Sequence, residues 1–474
     1  MKARETVPRV VAGASPGIAG SRKRYFGTDG IRGRLGEAPI TPEFVLQLGW
    51  AAGCVLSGGR RGNVLIGKDT RISGYLLESA LEAGLAAAGA DVCLLGPMPT
   101  PAISVLTRET RACAGIAISA SHNLYCDNGI KIFRSDGSKI SDATEIAIEA
   151  LMEEPCRTVA SERLGKARRL GNAPRRYIEF CKNLFKDKLD LQGLRLVLDC
   201  AHGAAYRVAP RLFEELGAQV TAIGVEPDGL NINRDCGSVS PERMRCEMQN
   251  QGADLGIALD GDGDRVIMAD ERGELLDGDE LLYVIASARR EELAGTVVGT
   301  VMSNLGLEQA LRRLGLELHR TPVGDRYIAE ALLQRGLKLG GEPSGHIISM
   351  AHMPTGDGIV SALQVLDAMR RTGRSLCHLK SGMRKFPQQM INIRTRQGQH
   401  ISSLPEIQEA VAGAEDELGD AGRVVLRPSG TEPVLRILVE GPGEAQVENL
   451  ADRLAGKVRE ALERMRRAPL SQVP

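Results

Sequence analysis

From Gly62 onward, short apolar runs alternate with longer stretches whose apolar residues recur every three or four positions. NVLIGKD (63–69) leaves a polar loop and predicts a strand, YLLESALEAGLAAAGA (75–90) has helical spacing, and DVCLLG (91–96) predicts the next strand. GIAIS and IKIF follow. The alternation restarts at LRLVLDC (194–200) and runs through RLFEELGA and QVTAIGV to DLGIALD (254–260). A third cycle opens at GTVVGTV (295–301), passes through GLEQALRRLGL and reaches GLKLGGEPSGHII (336–348). Such alternation predicts α/β domains with parallel or mixed sheets. After about Lys380 the text changes: RVVLRPSGTEPVLRILVEG (423–441) predicts strand–loop–strand, and a helical tail starts at Glu444. The expected organisation is three consecutive mixed-sheet α/β domains, at 23–165, 166–270 and 271–379, then a smaller α+β domain at 380–474. A chain of 474 residues is too long for one core, which agrees.

In each α/β block an apolar strand runs into a polar, glycine-rich loop: GIAIS into ASHN, LGIAL into DGDGDR, LKL into GGEPSGH. Open α/β sheets bind ligands beyond the carboxyl ends of their strands, so three such loops can meet around one ligand.

Composition narrows what that ligand is. With 43% hydrophobic and 25% charged residues the chain has ordinary material for cores. Lys+Arg and Asp+Glu are both 60, so no global field draws in nucleic acid or an anionic membrane. Aromatic residues, at 3%, offer few stacking platforms for single strands. An anion must therefore be recognised by local clusters. Ten cysteines without CxxC pairs and seven histidines without HExxH point to reduced thiols in a cytoplasmic protein rather than to disulfides or zinc. No apolar run is long enough to span a bilayer. The basic segment 1–22 has its apolar residues broken by Gly, Pro and Ser, which predicts a flexible extension rather than a signal peptide.

DGDGDR places Asp260, Asp262 and Asp264 at alternate positions just past a strand, where like charges raise one another's pKa. A divalent cation removes that cost, and an all-oxygen set favours Mg²⁺ over zinc. The plain alternative is a solvated acidic turn. An EF-hand fails: Glu271 falls at the twelfth position, but Arg265 stands where the loop glycine belongs and VIM continues as a strand. In RPSGTEP (427–433), the Ser429 and Thr431 hydroxyls and backbone N–H groups around Gly430 can surround phosphate oxygens, with charge from Arg427 and Arg436. A hydrogen-bonded turn between two strands would use much the same residues. GGEPSGH offers the Glu342 carboxylate, the Ser344 hydroxyl and the His346 imidazole, a mix suited to sugar hydroxyls or an amino group. Alone, His346 reads more readily as a packed or hydrogen-bonded histidine than as a ligand contact.

SASHNLYCDNGIKIF (119–133) contains a hydroxyl, Ser121, and a lone amine, Lys131. Asp127-Asn128-Gly129 predicts a tight turn, because Asn and Gly tolerate positive φ, and that turn would return Lys131 towards Ser121. His122 invites a serine-hydrolase reading, but no GxSxG elbow surrounds the serine and adjacent residues on an extended chain point apart. GNVLIGKD is not a P-loop: its middle is an apolar strand and Asp69 replaces the required Ser/Thr. Serine is a poor nucleophile without a base, but as a phosphoserine it is a phosphoryl donor whose phosphate would complete a Mg²⁺ shell.

Taken in order, YFGTDGIRG (25–33), ASHN, DGDGDR, GGEPSGH and RPSGTEPVLRI resemble the motifs of the α-D-phosphohexomutase superfamily over nearly the whole chain. FGTDGIRG and VGDRY (323–327) resemble its bacterial phosphoglucosamine mutase branch. The resemblance implies four domains around one cleft, the last hinged. It implies that Ser121 is the phosphoserine, and that Asp260, Asp262 and Asp264 hold one Mg²⁺ together with its phosphate. Lys131, with His346, matches the general acid/base, Arg265 a phosphate-side arginine, and Arg32 a residue near the serine. Glu342 and Ser344 match sugar-hydroxyl contacts, and Arg427, Ser429, Gly430, Thr431 and Arg436 the distal phosphate site.

The implied reaction interconverts glucosamine 6-phosphate and glucosamine 1-phosphate through a hexose 1,6-bisphosphate, which is both intermediate and activator, and supplies UDP-N-acetylglucosamine synthesis. A phosphosugar substrate and a homodimer through the first domain are further implications. One residue departs from the pattern. Leu124 stands where the superfamily usually has proline, which frees φ and would loosen the serine loop. The alternatives are a phosphomannomutase or phosphoglucomutase with the same chemistry, a metal-dependent phosphatase, and a catalytically silent phosphosugar-binding sensor. Against the sensor, Ser121, Lys131 and the three aspartates are all intact.

Overall fold

A computed structural model describes residues 23–58, 61–185, 189–395, 401–428 and 434–467. The predicted extension 1–22 and the loop residues Ser429, Gly430 and Thr431 lie outside that set. The chain forms two compact units, one reaching to Thr300 and resuming over Thr321–Ser381, the other made of Val301–Arg320 and the chain from Gly382.

The larger unit holds the α/β sheets. The first has six strands in the order Ile31–Arg34, Asp127–Arg134, Ala114–Ile118, Asn63–Lys68, Asp91–Pro97, Ala167–Arg169. The four from Ala114 outward run parallel, whereas Asp127–Arg134 is antiparallel to both neighbours. Val64, Leu65 and Ile66 are all buried, as are Ile116, Ala117 and Ile118. These strands read as unbroken apolar runs because helices cover both faces of a parallel sheet. The Pro42–Ser57 helix is started by Thr41, whose side chain accepts from Phe44 N–H, and ended by Gly58 at φ 58°.

In the second sheet, Arg195–Asp199 runs parallel to Gln219–Ile223 and to Leu255–Leu259, and Val266–Ala269 pairs antiparallel with Leu255–Leu259. In the third, Thr296–Thr300 runs parallel to Leu339–Gly341, which pairs antiparallel with Ile347–Ser349. All three sheets therefore share one device. A strand belonging to a parallel pair ends, a polar loop turns the chain, and an antiparallel strand returns. The three loops so formed are 119–126, Asp260–Arg265 and Glu342–His346, the same glycine-rich loops that the sequence singles out.

The turn before Lys131 is not where the sequence places it. Asp127, Asn128 and Gly129 already lie in the returning strand, and the chain reverses over 119–126. Gly129 is there for close approach: a Cβ would meet Ser119 O at 2.6 Å and Ile31 O at 2.9 Å. Asn128 is buried, with Nδ2 donating to Ser73 Oγ at 2.8 Å and Oδ1 accepting from Gly129 N–H.

The smaller unit contains an antiparallel sheet in the order Gln388–Arg394, Val434–Glu440, Arg423–Pro428. Helices Pro405–Leu418 and Glu444–Arg467 cover it, and Ile393, Ile407, Leu435, Ile437, Leu450 and Val458 share its core. The ten cysteines are unpaired. Among the described residues no helix is long and apolar enough to cross a membrane.

Candidate active site

Ser121 follows the Ala114–Ile118 strand at φ 52°, a left-handed conformation that a residue with a Cβ adopts only under constraint. Its N–H donates to Ser119 Oγ at 2.9 Å, and that hydroxyl donates to Asp69 Oδ2 at 2.6 Å. Its own Oγ donates to Asp260 Oδ2 at 2.6 Å. The expectation that Ser121 and His122 point apart rests on an extended chain, and this chain is not extended there: His122 Nδ1 comes within 3.4 Å of Ser121 Oγ. Burial, then Arg265 and Arg32, lower the His122 pKa to about 4, so the ring is neutral at pH 7.

Asp260, Asp262 and Asp264 are all buried, with one oxygen of each within 4.8 Å of the others. Burial and the two neighbouring carboxylates push Asp260 well above the usual range. Burial opposes ionisation of Asp264 too, but Lys131 and His346 overcome it and hold that carboxyl well below the usual range. Thr100 Oγ1 donates to Asp262 Oδ2 at 2.7 Å. Among the described residues Asp262 Oδ1 is buried without a hydrogen-bond partner, while Asp264 Oδ1 faces His346 Nδ1 at 3.6 Å and Arg265 Nε at 3.7 Å. An orphaned oxygen in a cluster of three hard, anionic donors fits a divalent cation, and the triad can hold one.

Lys131 lies opposite Ala117 in the returning strand, so the antiparallel register carries its amine into the cluster. The ammonium lies 3.0 Å from Asp262 Oδ2, 3.1 Å from Asp264 Oδ2 and 3.1 Å from Asp29 Oδ2. Burial disfavours its charge, but these three carboxylates outweigh burial and raise it well above the ordinary lysine value. His346 is similar. Burial opposes its charge, yet Asp264 at 3.6 Å and Asp325 at 3.5 Å raise it to about 9. Both groups are cationic at neutral pH and stand as proton donors.

Arg32 pairs with Asp29, and Arg265 lies 3.7 Å from Asp264 Oδ1 while its backbone N–H donates to Asp260 Oδ1 at 3.1 Å. Among the described residues the Nε–H of each guanidinium is buried without a hydrogen bond, that of Arg265 facing Asp264 Oδ1 beyond hydrogen-bond range, which suits a bound anion. Glu342 accepts from Gly324 N–H at 2.9 Å and from Ser344 Oγ at 3.2 Å. In the smaller unit, Arg427 and Arg436 are directly opposite on paired strands. Like charges in that register repel unless an anion or a carboxylate compensates.

Sequence comparison bears on these loops together. The four domains described as phosphoglucomutase/phosphomannomutase, alpha/beta/alpha domains I, II and III and C-terminal domain, match residues 23–157, 175–273, 277–386 and 390–457. The chain belongs to the phosphoglucomutase/phosphomannomutase family. As a member of it, the chain is an intramolecular phosphotransferase, an enzyme of the isomerase class. A phosphoglucosamine mutase of Methylococcus capsulatus is 59% identical over 445 residues, covering 93% of this chain and 99% of that protein. One of Nitrosococcus oceani is 60% identical over 438 residues, covering 92% and 97%. The fold also matches a phosphoglucomutase/phosphomannomutase family protein of Burkholderia thailandensis, with a TM-score of 0.77 at 22% identity over 92% of this chain and 97% of that one. An Aspergillus fumigatus N-acetylphosphoglucosamine mutase, solved with GlcNAc-6P and magnesium, matches with a TM-score of 0.68 at 18% identity over 93% and 96%.

Several contacts of this family member's site escape a reading of the sequence. Asp29 receives Lys131, Arg32 and Lys139 together. Lys139 also reaches Asp325, which faces His346. Arg71 and Asn233 hold the serine loop from behind. Lys139 and Asp325 are 186 positions apart, and no local spacing announces such a pair. The one available signal is that Asp29, Arg71 and Asp325 fall inside short polar motifs, TDGIRG, KDTR and VGDRY, already set among apolar strands.

Proposed function

We propose that Ser121 carries the phosphoryl group by which this chain interconverts glucosamine 6-phosphate and glucosamine 1-phosphate. The observation that carries the reading is the 2.6 Å contact of Ser121 Oγ with Asp260, which sets a hydroxyl against three clustered carboxylates. Relatives near 59% identity over almost the whole chain, named as phosphoglucosamine mutases, support the amino-sugar substrate.

Mg²⁺ held by Asp260, Asp262, Asp264 and the phosphoserine would supply charge that offsets the transferring group. The bond from phosphorus to Ser121 Oγ breaks as the sugar hydroxyl bonds to phosphorus. The hydroxyl sheds a proton and the serine oxygen takes one up, so the transfer is proton-neutral. Lys131 and His346 are assigned to move that proton. Arg32 and Arg265 receive the phosphoryl oxygens on Nε–H groups that make no hydrogen bond among the described residues. Glu342 and Ser344 meet the sugar hydroxyls, and Arg427, Ser429, Gly430, Thr431 and Arg436 receive the other phosphate. The 1,6-bisphosphate must then turn so that its second phosphate faces Ser121. A cradle of arginines, hydroxyls and backbone suits two orientations better than a tightly shaped pocket. A cytoplasmic, homodimeric enzyme divided at 165/166, 270/271 and 379/380 completes the reading, with the unpaired thiols as its support for the compartment.

The test is ³¹P NMR of the protein with Mg²⁺, a trace of hexose 1,6-bisphosphate and glucosamine 6-phosphate. A growing sugar 1-phosphate resonance without free phosphate is expected, and it disappears in Ser121→Ala. Release of inorganic phosphate instead would make the chain a phosphatase. Turnover confined to mannose or glucose phosphates would overturn the amino-sugar assignment.

A further inference from the structure

The serine loop is held from behind by two side chains that take no part in the chemistry assigned above. Arg71 is fully buried, and all five of its guanidinium N–H groups are used. Nη2 donates to Ser121 O and Asn123 O, both at 2.9 Å, while Nη1 donates to Asn123 O at 3.0 Å and Leu124 O at 2.8 Å. Nε donates to Asp69 Oδ2 at 2.9 Å, the oxygen that also receives Ser119 Oγ. From the other side, Asn233 Nδ2 donates to Ser121 O at 2.9 Å and to Asn123 O at 2.8 Å. The metal loop closes against the same point: a Cβ on Gly261 would meet Asn233 Nδ2 at 2.6 Å and Ser121 O at 2.7 Å.

We propose that Arg71 and Asn233 are positioning residues that clamp the carbonyls of 121, 123 and 124 and so aim the Ser121 hydroxyl at Asp260. This rests on the reading of Ser121 as phosphoryl carrier. Ser121 sits at φ 52°, and such a backbone persists only where its surroundings over-determine it. The Arg71 and Asn233 bonds supply that determination, since among the described residues Asn233 Nδ2 bonds only to this loop and Arg71 spends its donors on the loop and on Asp69, which orients the loop's own Ser119. The clamp also accounts for Leu124 in the loop. Its side chain is half exposed, and its carbonyl is fixed by Arg71 rather than by a ring at that position. A lysine could not replace the guanidinium, because an ammonium has three donors and no planar fork.

Asn233→Gly is the decisive variant. It deletes both amide bonds, and glycine accepts the φ of 58° found there without strain. Thermal melting with and without Mg²⁺ should stay close to wild type, showing an intact fold and metal loop. Because misplacing a reacting group by about 1 Å costs on the order of 10²-fold, kcat should fall roughly 10–100-fold with KM unchanged. Arg71→Lys should act in the same direction and should not restore kcat to Arg71→Met. Wild-type kcat in Asn233→Gly, or a loss only in proportion to the unfolded fraction seen by circular dichroism, overturns the clamp. Ser121→Ala runs beside these variants. If it is inactive while Asn233→Gly is fully active, the clamp alone is wrong; if Ser121→Ala turns over normally, the carrier reading falls and the clamp with it.

Discussion

Ser121 Oγ and Asp260 Oδ2 meet at 2.6 Å although 139 positions separate them in the chain. The contact joins the loop of the first sheet to the loop of the second, and it places a hydroxyl beside a carboxyl that burial, Asp264 and Asp262 already destabilise as an anion. Asp260 is therefore kept against the stability of the metal-free protein, which is expected of a ligand rather than of a structural acid.

Asp260→Asn should show this trade directly. The neutral isostere removes one of three crowded charges, so the metal-free variant should melt at or above the wild-type temperature. A ligand at 100 times its Kd stabilises by about 2.7 kcal/mol, and the variant should lose most of the Mg²⁺-dependent rise in Tm together with its turnover. Melting curves with EDTA and with saturating MgCl₂ check both halves. A variant that still responds fully to Mg²⁺ would remove Asp260 from the ligand set.

Lys131 compensates three carboxylates at once, from Asp29, Asp262 and Asp264. Removing one partner of a buried ionic cluster is strongly destabilising, by about 3–5 kcal/mol, because the remaining charges are left unpaired. Lys131→Met should therefore be much less stable than wild type in EDTA. A divalent cation restores positive charge at two of those carboxylates, so Mg²⁺ should raise the Tm of this variant more than it raises that of wild type. Turnover should stay depressed by about 10²–10⁴-fold at saturating Mg²⁺, the range of general acid–base catalysis. Calorimetric scans of both proteins over a Mg²⁺ series decide it, and an equal response in the two would show that Lys131 does not share the metal's carboxylates.

How much of this was legible beforehand follows from the range of each interaction. The strands were visible because Asn63–Lys68, Ala114–Ile118 and Leu255–Leu259 are buried runs, and the loops because each begins where such a run stops. The aspartate triad was visible because its three members lie within five residues of one another. The turn before Lys131 was misplaced, because Asn128 and Gly129 look like turn residues but serve side-chain bonding and close packing inside a strand. The left-handed Ser121 was invisible, since its conformation is imposed by Arg71 and Asn233, 50 and 112 positions away. The predicted phosphate loop stays a proposal. Arg427 and Arg436 stand opposite each other, while Ser429, Gly430 and Thr431 lie outside the described residues.

Lys139 ties the opening TDGIRG segment to VGDRY by pairing with both Asp29 and Asp325. Its burial is incomplete, with 22% of the side chain exposed, so the loss on Lys139→Met should be smaller than for Lys131, about 1–3 kcal/mol. Gly324, beside Asp325, donates to Glu342, so freeing the segment should disturb the Glu342 carboxylate, the proposed sugar contact, more than the serine. The expected kinetic signature is a raised KM with a much smaller change in kcat. Steady-state kinetics on the amino-sugar phosphate test it, and a kcat loss at constant KM would place Lys139 with the reacting groups instead.

Asp357 offers a pH test beside the metal loop, where Gly358 N–H donates to Gly263 O at 3.0 Å and Asp264 adds to the rise in the Asp357 pKa, so the test is run in EDTA. It caps the Gly358–Thr372 helix by accepting from Val360 N–H at 3.0 Å, and it also accepts from Tyr177 Oη at 2.7 Å. Burial raises its pKa to about 6 against these bonds, which favour the anion. A carboxyl whose folded pKa lies above its unfolded value, about 3.9, binds its proton more tightly in the folded protein. Its contribution to stability is therefore complete below pH 4 and is lost as pH rises through 6. A shift of about two units corresponds to about 3 kcal/mol. Asp357→Asn keeps a cap and cannot ionise, so its stability relative to wild type should improve by up to that amount between pH 4 and pH 7. Urea unfolding followed by the fluorescence of Trp50, the single tryptophan and a member of the same unit, reads the difference. A gap between the two proteins that stays constant over that range would mean Asp357 is ionised throughout, with its pKa held down by the helix cap.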